Sequence, residues 1–203
     1  MTIPVLPRSI PTLKRFLFAA YIELNAIETK IQPMYWQEQL SSLEGAVILL
    51  EDRRYFKHSG IDWKSSVRDF WKMITFRKFG GSSTIEMQFV RTCTGYKQKT
   101  LRRKCYEMFL AWALGHRATK LEILKAYLKV AYFGSGLIGV ERTSGKVFGK
   151  SLGELTIEEI YFLASMLVYP RPKIPTEKWR GKVIRRASYG IILLKKIGRS
   201  CLM

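Results

Sequence analysis

Apolar residues recur at helical spacing along most of the chain. From Ser9 to about Thr29, Leu13, Phe16, Leu17, Ala20, Tyr21, Leu24 and Ile27 fall at steps of one, three and four, which predicts an amphipathic helix. A loop around Pro33 follows. Glu44–Arg54 has an unbroken apolar centre and reads as a buried helix, and Trp63–Arg77 carries Trp63, Val67, Phe70, Trp71 and Ile74 at helical steps. The polar, glycine-bearing loop Phe79–Thr84 leads into a short helical pattern over Ile85–Arg91, and Leu101–His116 is a long helix candidate. In Thr119-Lys120-Leu121-Glu122 and Thr156-Ile157-Glu158-Glu159 a hydroxyl precedes a Glu by three positions, the reciprocal cap that opens a helix. Helices are therefore predicted from Thr119 to about Tyr132 and from Thr156 to just before Pro170. Gly134, Gly136, Gly139 and Gly145 mark a loop region, Pro170, Pro172 and Pro175 form a cluster, and Val183–Ile197 is a last amphipathic stretch. Strand signals are few and no repeat is present, so the fold class is mainly α.

Composition narrows the function classes. The chain has 203 residues, enough for one domain or at most two with a sizeable core. Its 47% apolar content excludes a disordered basic tail. The net charge of +19 directs it to an anionic partner: nucleic acid, a membrane surface or a phosphorylated substrate. No basic–aromatic nucleic-acid module is visible, so nucleic acid is not the expected partner. Cys93, Cys105 and Cys201 stand in no CxxC or Cys/His pattern, so free thiols and no metal site are expected. No stretch reaches the roughly 18–20 apolar residues that span a bilayer. Phe16–Ile22 is broken by Glu23 and Ala46–Leu50 by Glu51. The early prolines and the lack of a small-residue cleavage pattern make the N-terminus a poor signal peptide.

Three segments could carry chemistry. Glu51 and Asp52 end an apolar run, where desolvation would suit a carboxylate to general acid–base work; the alternative is a solvated acidic pair with Arg partners. The Gly80–Thr84 loop with Gln88 and Arg91 offers N–H groups, hydroxyls and a guanidinium suited to phosphate oxygens, or is simply a loop. Arg103 and Glu107 share a helix face at i, i+4, as a structural pair or as part of an active site. Between Arg77 and Lys104 stand eight basic residues and one acid, Glu86, which suits a departing phosphate better than hydrolysis of a neutral sugar.

In order and spacing these segments resemble the peptidoglycan glycosyltransferases, the monofunctional transglycosylases and the glycan-polymerising domain of class A penicillin-binding proteins. The family's EDxxFxxHxG is met by Glu51, Asp52, Phe56, His58 and Gly60. Its GxSTIxQQxxKN appears as Gly81-Ser82-Ser83-Thr84-Ile85-Glu86-Met87-Gln88-Phe89-Val90-Arg91-Thr92, and its RKxxE as Arg103, Lys104 and Glu107. The segment Ile123–Val140 resembles the family's ILExYLNxxYxGxGxxGV, and Val147-Phe148-Gly149-Lys150 its YFGK.

The resemblance implies a lysozyme-like, two-lobed helical fold with a central cleft. It implies polymerisation of lipid II by inverting transfer from a lipid-diphosphate-linked donor to the 4-hydroxyl of the incoming lipid II. Glu51 and Glu107 would be the catalytic carboxylates, with Glu51 the general base and Glu107 organising the diphosphate end. Asp52, Phe56, His58, Gly60, Gly81, Ser83, Thr84, Gln88, Arg91, Arg103 and Lys104 would bind substrate. No cofactor is required, with room for a divalent cation, Mg2+ or Mn2+, at the diphosphate. The implied setting is the outer, periplasmic face of the cytoplasmic membrane, with an anionic lipid surface and other cell-wall synthesis proteins as partners. On this reading residues 1–42 are an amphipathic, membrane-proximal segment, 43–176 the glycosyltransferase domain and 177–203 a basic amphipathic segment. Met87, Thr92, Lys125 and Lys129 depart from the motifs, as do Glu141-Arg142-Thr143-Ser144, where the family has small residues. These departures leave open a catalytically weak relative that binds lipid II or glycan; a lysozyme-like hydrolase is a further alternative.

Overall fold

The computed structural model describes residues 12–31, 40–74, 83–96, 98 and 100–200. Among them are helices α1 (Thr12–Glu28), α2 (Ser42–Glu51), α3 (Trp63–Ile74), α4 (Ile85–Thr94), α5 (Leu101–Leu114), α6 (Lys120–Val130), α7 (Val140–Phe148), α8 (Ile157–Ser165) and α9 (Glu177–Ser200). Strands β1 (Tyr132–Gly134) and β2 (Leu137–Ile138) pair antiparallel between α6 and α7, with Tyr132 opposite Ile138 and Gly134 opposite Leu137. The architecture is mainly α, as the periodicity predicts. The loop around Pro33, Phe79–Ser82 and Cys201 lie outside the described residues.

Helix starts follow the local chemistry. The predicted capping boxes at Thr119 and Thr156 both form. Two more, Ser41 with Glu44 and Ser151 with Glu154, open α2 and a single 3-10 turn. Thr84 and Thr100 cap α4 and α5 by accepting from the N–H groups of Met87 and Arg103. Each such cap satisfies a helix N–H that has no partner within the helix.

The run Ala46–Leu50 is apolar all round because α2 is covered by both α8 and α9. Helix α4 packs on α5 and α6, and α1 lies across α4 and α5. Val47, Ile85, Phe89, Leu110, Leu124 and Leu163 are fully buried at these contacts, and Val183 and Ala187 bring α9 into the same core. Each large apolar side chain removed from water contributes about 1.5–3 kcal/mol.

One expectation needs correction. The glycine-marked region 134–145 is not a loop: it forms the β1–β2 hairpin and most of α7. Val147 and Phe148 of α7 pack half-buried on the core, and Val140, Thr143 and Ser144 are buried at the matching helical steps, a period that the polar Thr143 and Ser144 and the internal Gly145 obscure in the sequence. Those buried positions remain small, while Glu141 and Arg142 point to solvent. The α1 stripe also divides. Ala20, Leu24 and Ile27 are buried, but Leu13 is 68% exposed and Leu17 and Tyr21 are exposed beside it. On α3, Trp63, Val67 and Trp71 are likewise exposed. No helix among the described residues is long and apolar enough to cross a membrane.

Candidate active site

Glu51 is the last residue of α2 and the first charged group after the buried apolar run. Its side chain is only 7% exposed and is held from two sides. Gln88 on α4 donates its amide Nε2 to Oε2 at 3.2 Å, and Arg186 on α9 donates to Oε1 at 2.9 Å. The Gln88 amide is itself oriented, because its carbonyl accepts from the Tyr127 hydroxyl at 2.8 Å. Burial, with the Glu51 carboxylate nearby, pushes that hydroxyl well above its ordinary range, so Tyr127 stays a donor. Glu51 borders an open cleft of about 420 Å³, with Asp52, Arg54, Asp62, Ser83 and Thr84 on its walls.

The residues after Glu51 tie this cleft together. Asp52 is buried and faces inward: its Oδ2 lies 3.0 Å from His58 Nε2 and 3.4 Å from the first N–H of α4. Thr84 donates its hydroxyl to the Gly60 carbonyl at 2.7 Å while capping α4. Gly60 has φ +88°, and a Cβ there would lie 2.1 Å from the Ala111 carbonyl oxygen of α5. Only glycine allows that approach. Asp62 accepts from the N–H groups of Lys64 and Ser65 at the start of α3 and pairs with Arg54 at 3.0 Å. Burial acts to raise its carboxyl, but the Ser65 hydrogen bonds and the Arg54 guanidinium outweigh it and hold Asp62 below the usual carboxylate range.

At the other end stands a cation cluster. Glu107 on α5 is fully buried. Arg91 on α4 grips both its oxygens at 3.2 Å, and Arg103, one turn earlier on α5, adds a third contact at 3.2 Å. Arg91 also reaches Ser83 Oγ at 3.3 Å, and Lys104 reaches the same oxygen at 2.9 Å. Two cations thus converge on a cleft-lining hydroxyl, with Glu107 behind them as a brace. The set fits an anionic oxygen cluster at Ser83.

Asp52, His58 and Glu86 lie close enough to share a metal ion. The cation place is already taken, however: the Lys120 ammonium lies on Glu86, 3.4 Å from His58 Nδ1 and over the Tyr55 ring. Glu107 is likewise held by two guanidinium groups. These residues do not fit a resident divalent ion at either place.

The structure therefore brings Glu51, Asp52, His58, Gly60, Ser83, Thr84, Gln88, Arg91, Arg103, Lys104 and Glu107 into one connected site. Phe56 is exposed on the 3-10 turn Tyr55–Lys57, its ring against Tyr55. Gly81 lies outside the described residues. Of the departures from the motifs, Met87 is buried in the core, and Lys125 lies 3.7 Å from buried Glu44, away from the cleft. Cys93 is half-buried, and burial pushes its thiol up to about 11, with Lys30 a smaller opposing influence. Sequence reasoning missed Arg186, Tyr127 and Asp62. The Asp62 signal was present, an Asp directly before a predicted helix, whereas Arg186 is 135 residues from Glu51 and carries no local signal.

The family model described as transglycosylase matches residues 22–192. The chain is 37% identical over 145 residues to penicillin-binding protein 2a of Streptococcus pneumoniae, covering 71% of this chain and 19% of that one. It is 34% identical over 157 residues to a candidate transglycosylase of Cupriavidus necator, covering 77% of this chain and 68% of the relative. Penicillin-binding protein 1A of Rickettsia bellii is 32% identical over 186 residues, 88% of this chain and 21% of the relative. The chain thus spans about a fifth of the length of these penicillin-binding relatives.

Proposed function

The chain belongs to the transglycosylase family, and from that premise we propose that it is a peptidoglycan glycosyltransferase that polymerises lipid II into glycan strands. The observation that carries this reading is the placement of Ser83. It lines the same cleft as Glu51, and its hydroxyl is the point on which Arg91 and Lys104 converge. A carboxylate at one end and a cation cluster at the other are what transfer from a diphosphate-linked sugar needs.

In the proposed step the 4-hydroxyl of the incoming lipid II gives its proton to Glu51. Its oxygen forms a bond to the anomeric carbon of the growing strand, from the face opposite the lipid diphosphate. The anomeric carbon–oxygen bond breaks, the electron pair leaves with the diphosphate, and the configuration inverts. Arg91, Arg103 and Lys104 meet the charge that collects on the leaving group, with Arg91 and Arg103 held in place by Glu107. A carboxylate oxygen has two lone pairs, so the contacts from Gln88 and Arg186 leave Glu51 able to accept the hydroxyl proton.

The reaction is placed at the outer face of the cytoplasmic membrane, where the lipid carrier resides. Exposed Leu13, Leu17 and Tyr21 on α1 and Trp63 and Trp71 on α3 suit contact with the interface. The ten basic residues and one acid between Arg171 and Met203 suit anionic headgroups.

The test is incubation of purified protein, wild type and Glu51→Gln, with labelled lipid II in detergent, followed by gel analysis. Polymer from wild type and a loss of at least 100-fold in Glu51→Gln is expected, with lipid II affinity retained. Absence of polymer from both, with lipid II still bound, would replace the enzyme reading with a binding module. Cleavage of pre-formed glycan would instead indicate a hydrolase.

A further inference from the structure

We infer that Arg186, on the last helix, is a positioning residue for the general base: it fixes the Glu51 carboxylate at the wall of the cleft. This rests on the reading of Glu51 as the base.

The contact is specific. One Arg186 nitrogen, Nη2, donates to Glu51 Oε1 at 2.9 Å and to the Leu50 carbonyl at 2.7 Å. Leu50 lies in the final turn of α2, where backbone carbonyls lack a helical partner. A single nitrogen therefore holds both the end of the helix and the carboxylate that it presents. Gln88 holds the opposite carboxylate oxygen from α4, so Glu51 is clamped between two helices that meet only through tertiary structure. A second link lies two residues on: Arg53 donates to the Tyr189 hydroxyl at 2.6 Å and stacks over its ring.

Helix α9 is shaped for this approach. Val183, Ala187 and Gly190 form its inner face, one turn apart. A Cβ on Gly190 would lie 2.4 Å from the Tyr161 ring and 3.0 Å from the Leu50 side chain. Glycine inside a helix costs about 0.5–1 kcal/mol relative to alanine. At this position it lets α9 lie against the residue that precedes Glu51, and Arg186 stands one turn away on the same side. A local rule broken where the chain meets the site is the pattern expected of a functional constraint.

The experiment uses the whole chain, with lipid II polymerisation measured for wild type, Arg186→Met, Arg186→Lys, Glu51→Gln and the double variant Glu51→Gln/Arg186→Met. Misplacing a reacting group by about 1 Å can cost roughly 100-fold. Arg186→Met is expected to lower kcat by about 10- to 100-fold with KM for lipid II within about twofold, and Arg186→Lys to recover part of the loss. Against Glu51→Gln the same substitution should cost nothing more. Urea unfolding of each variant separates this from loss of fold, since the kcat measured per folded molecule must still fall. Wild-type kcat in Arg186→Met, or an equal loss in the Glu51→Gln background, overturns the inference and leaves the base assignment standing. A raised kcat in Arg186→Met also overturns it and makes the contact autoinhibitory. Full activity in Glu51→Gln overturns the base assignment itself, and the Arg186 inference with it.

Discussion

Replacing Glu107 by Gln tests whether the buried carboxylate acts on the substrate or only through its arginines. The side chain is fully buried and accepts two bonds from Arg91 and one from Arg103, all at 3.2 Å. Removing one partner of a buried ion pair typically costs 3–5 kcal/mol, because the remaining charge is left uncompensated. Two features reduce that figure here. Gln keeps one carbonyl oxygen in the same place, and Arg91, 37% exposed, can turn part of its guanidinium to water. About 2–3 kcal/mol is therefore expected, a roughly 30- to 150-fold fall in the folding equilibrium constant. Equilibrium urea unfolding measures it, and a double-mutant cycle with Arg91→Gln should return a coupling of about 1–3 kcal/mol. Activity should fall as well, because Arg91 loses the partner that aims it at Ser83. The reasoning is refuted if Glu107→Gln abolishes polymer while its unfolding midpoint matches wild type. Glu107 would then be a reacting group rather than a brace.

Three further outcomes follow from the geometry. Gly60→Ala and Gly136→Ala both place a side chain at positive φ, but only the Gly60 Cβ meets backbone, whereas Gly136 has nothing within 4 Å. Gly136→Ala should cost about 1–2 kcal/mol and Gly60→Ala at least twice as much, read from urea midpoints; equal costs would contradict the packing of Gly60 on α5. Asp62 is held below its ordinary value of 3.8, so its stabilising pair with Arg54 is fully present above that value and lost as pH falls through the lower folded one. Asp62→Asn, which keeps the helix cap, should be less stable than wild type at pH 7 by no more than about 1 kcal/mol, and the difference should vanish toward pH 2; a gap that widens in acid would reverse the sign. Lys125→Glu restores the residue of the family motif but sets a carboxylate beside buried Glu44, 3.7 Å away in the present pair. It should destabilise the chain by about 1–3 kcal/mol in thermal or urea unfolding without raising polymer yield.

What the linear chain determined by itself is whatever depends on neighbours within a turn or two. Periodicity and the Thr119 and Thr156 caps placed α6 and α8, since a cap involves residues only three apart. The ordered motifs around Glu51, Ser83 and Arg103 exposed the chemistry, because a base and a cation cluster require particular residue types. The α7 helix was not legible, because two of its inward positions are the polar Thr143 and Ser144 and glycines flank and interrupt it, which masks the period that Val140, Val147 and Phe148 complete. Nor was the exposure of Leu13 and Trp63, because hydrophobicity shows that a residue avoids water and not which surface will cover it. Only the tertiary structure decided how the site is held. Glu107 lies behind Arg91 rather than in the cleft, Lys120 takes the cation place beside Asp52 and His58, and Arg186 reaches Glu51 across 135 residues of chain. These are contacts between helices, set by the packing of α4 on α5 and α6 and by the closeness that Gly190 allows between α9 and α2. Such contacts leave no local signature, since their energy depends on distances that exist only once the core has formed.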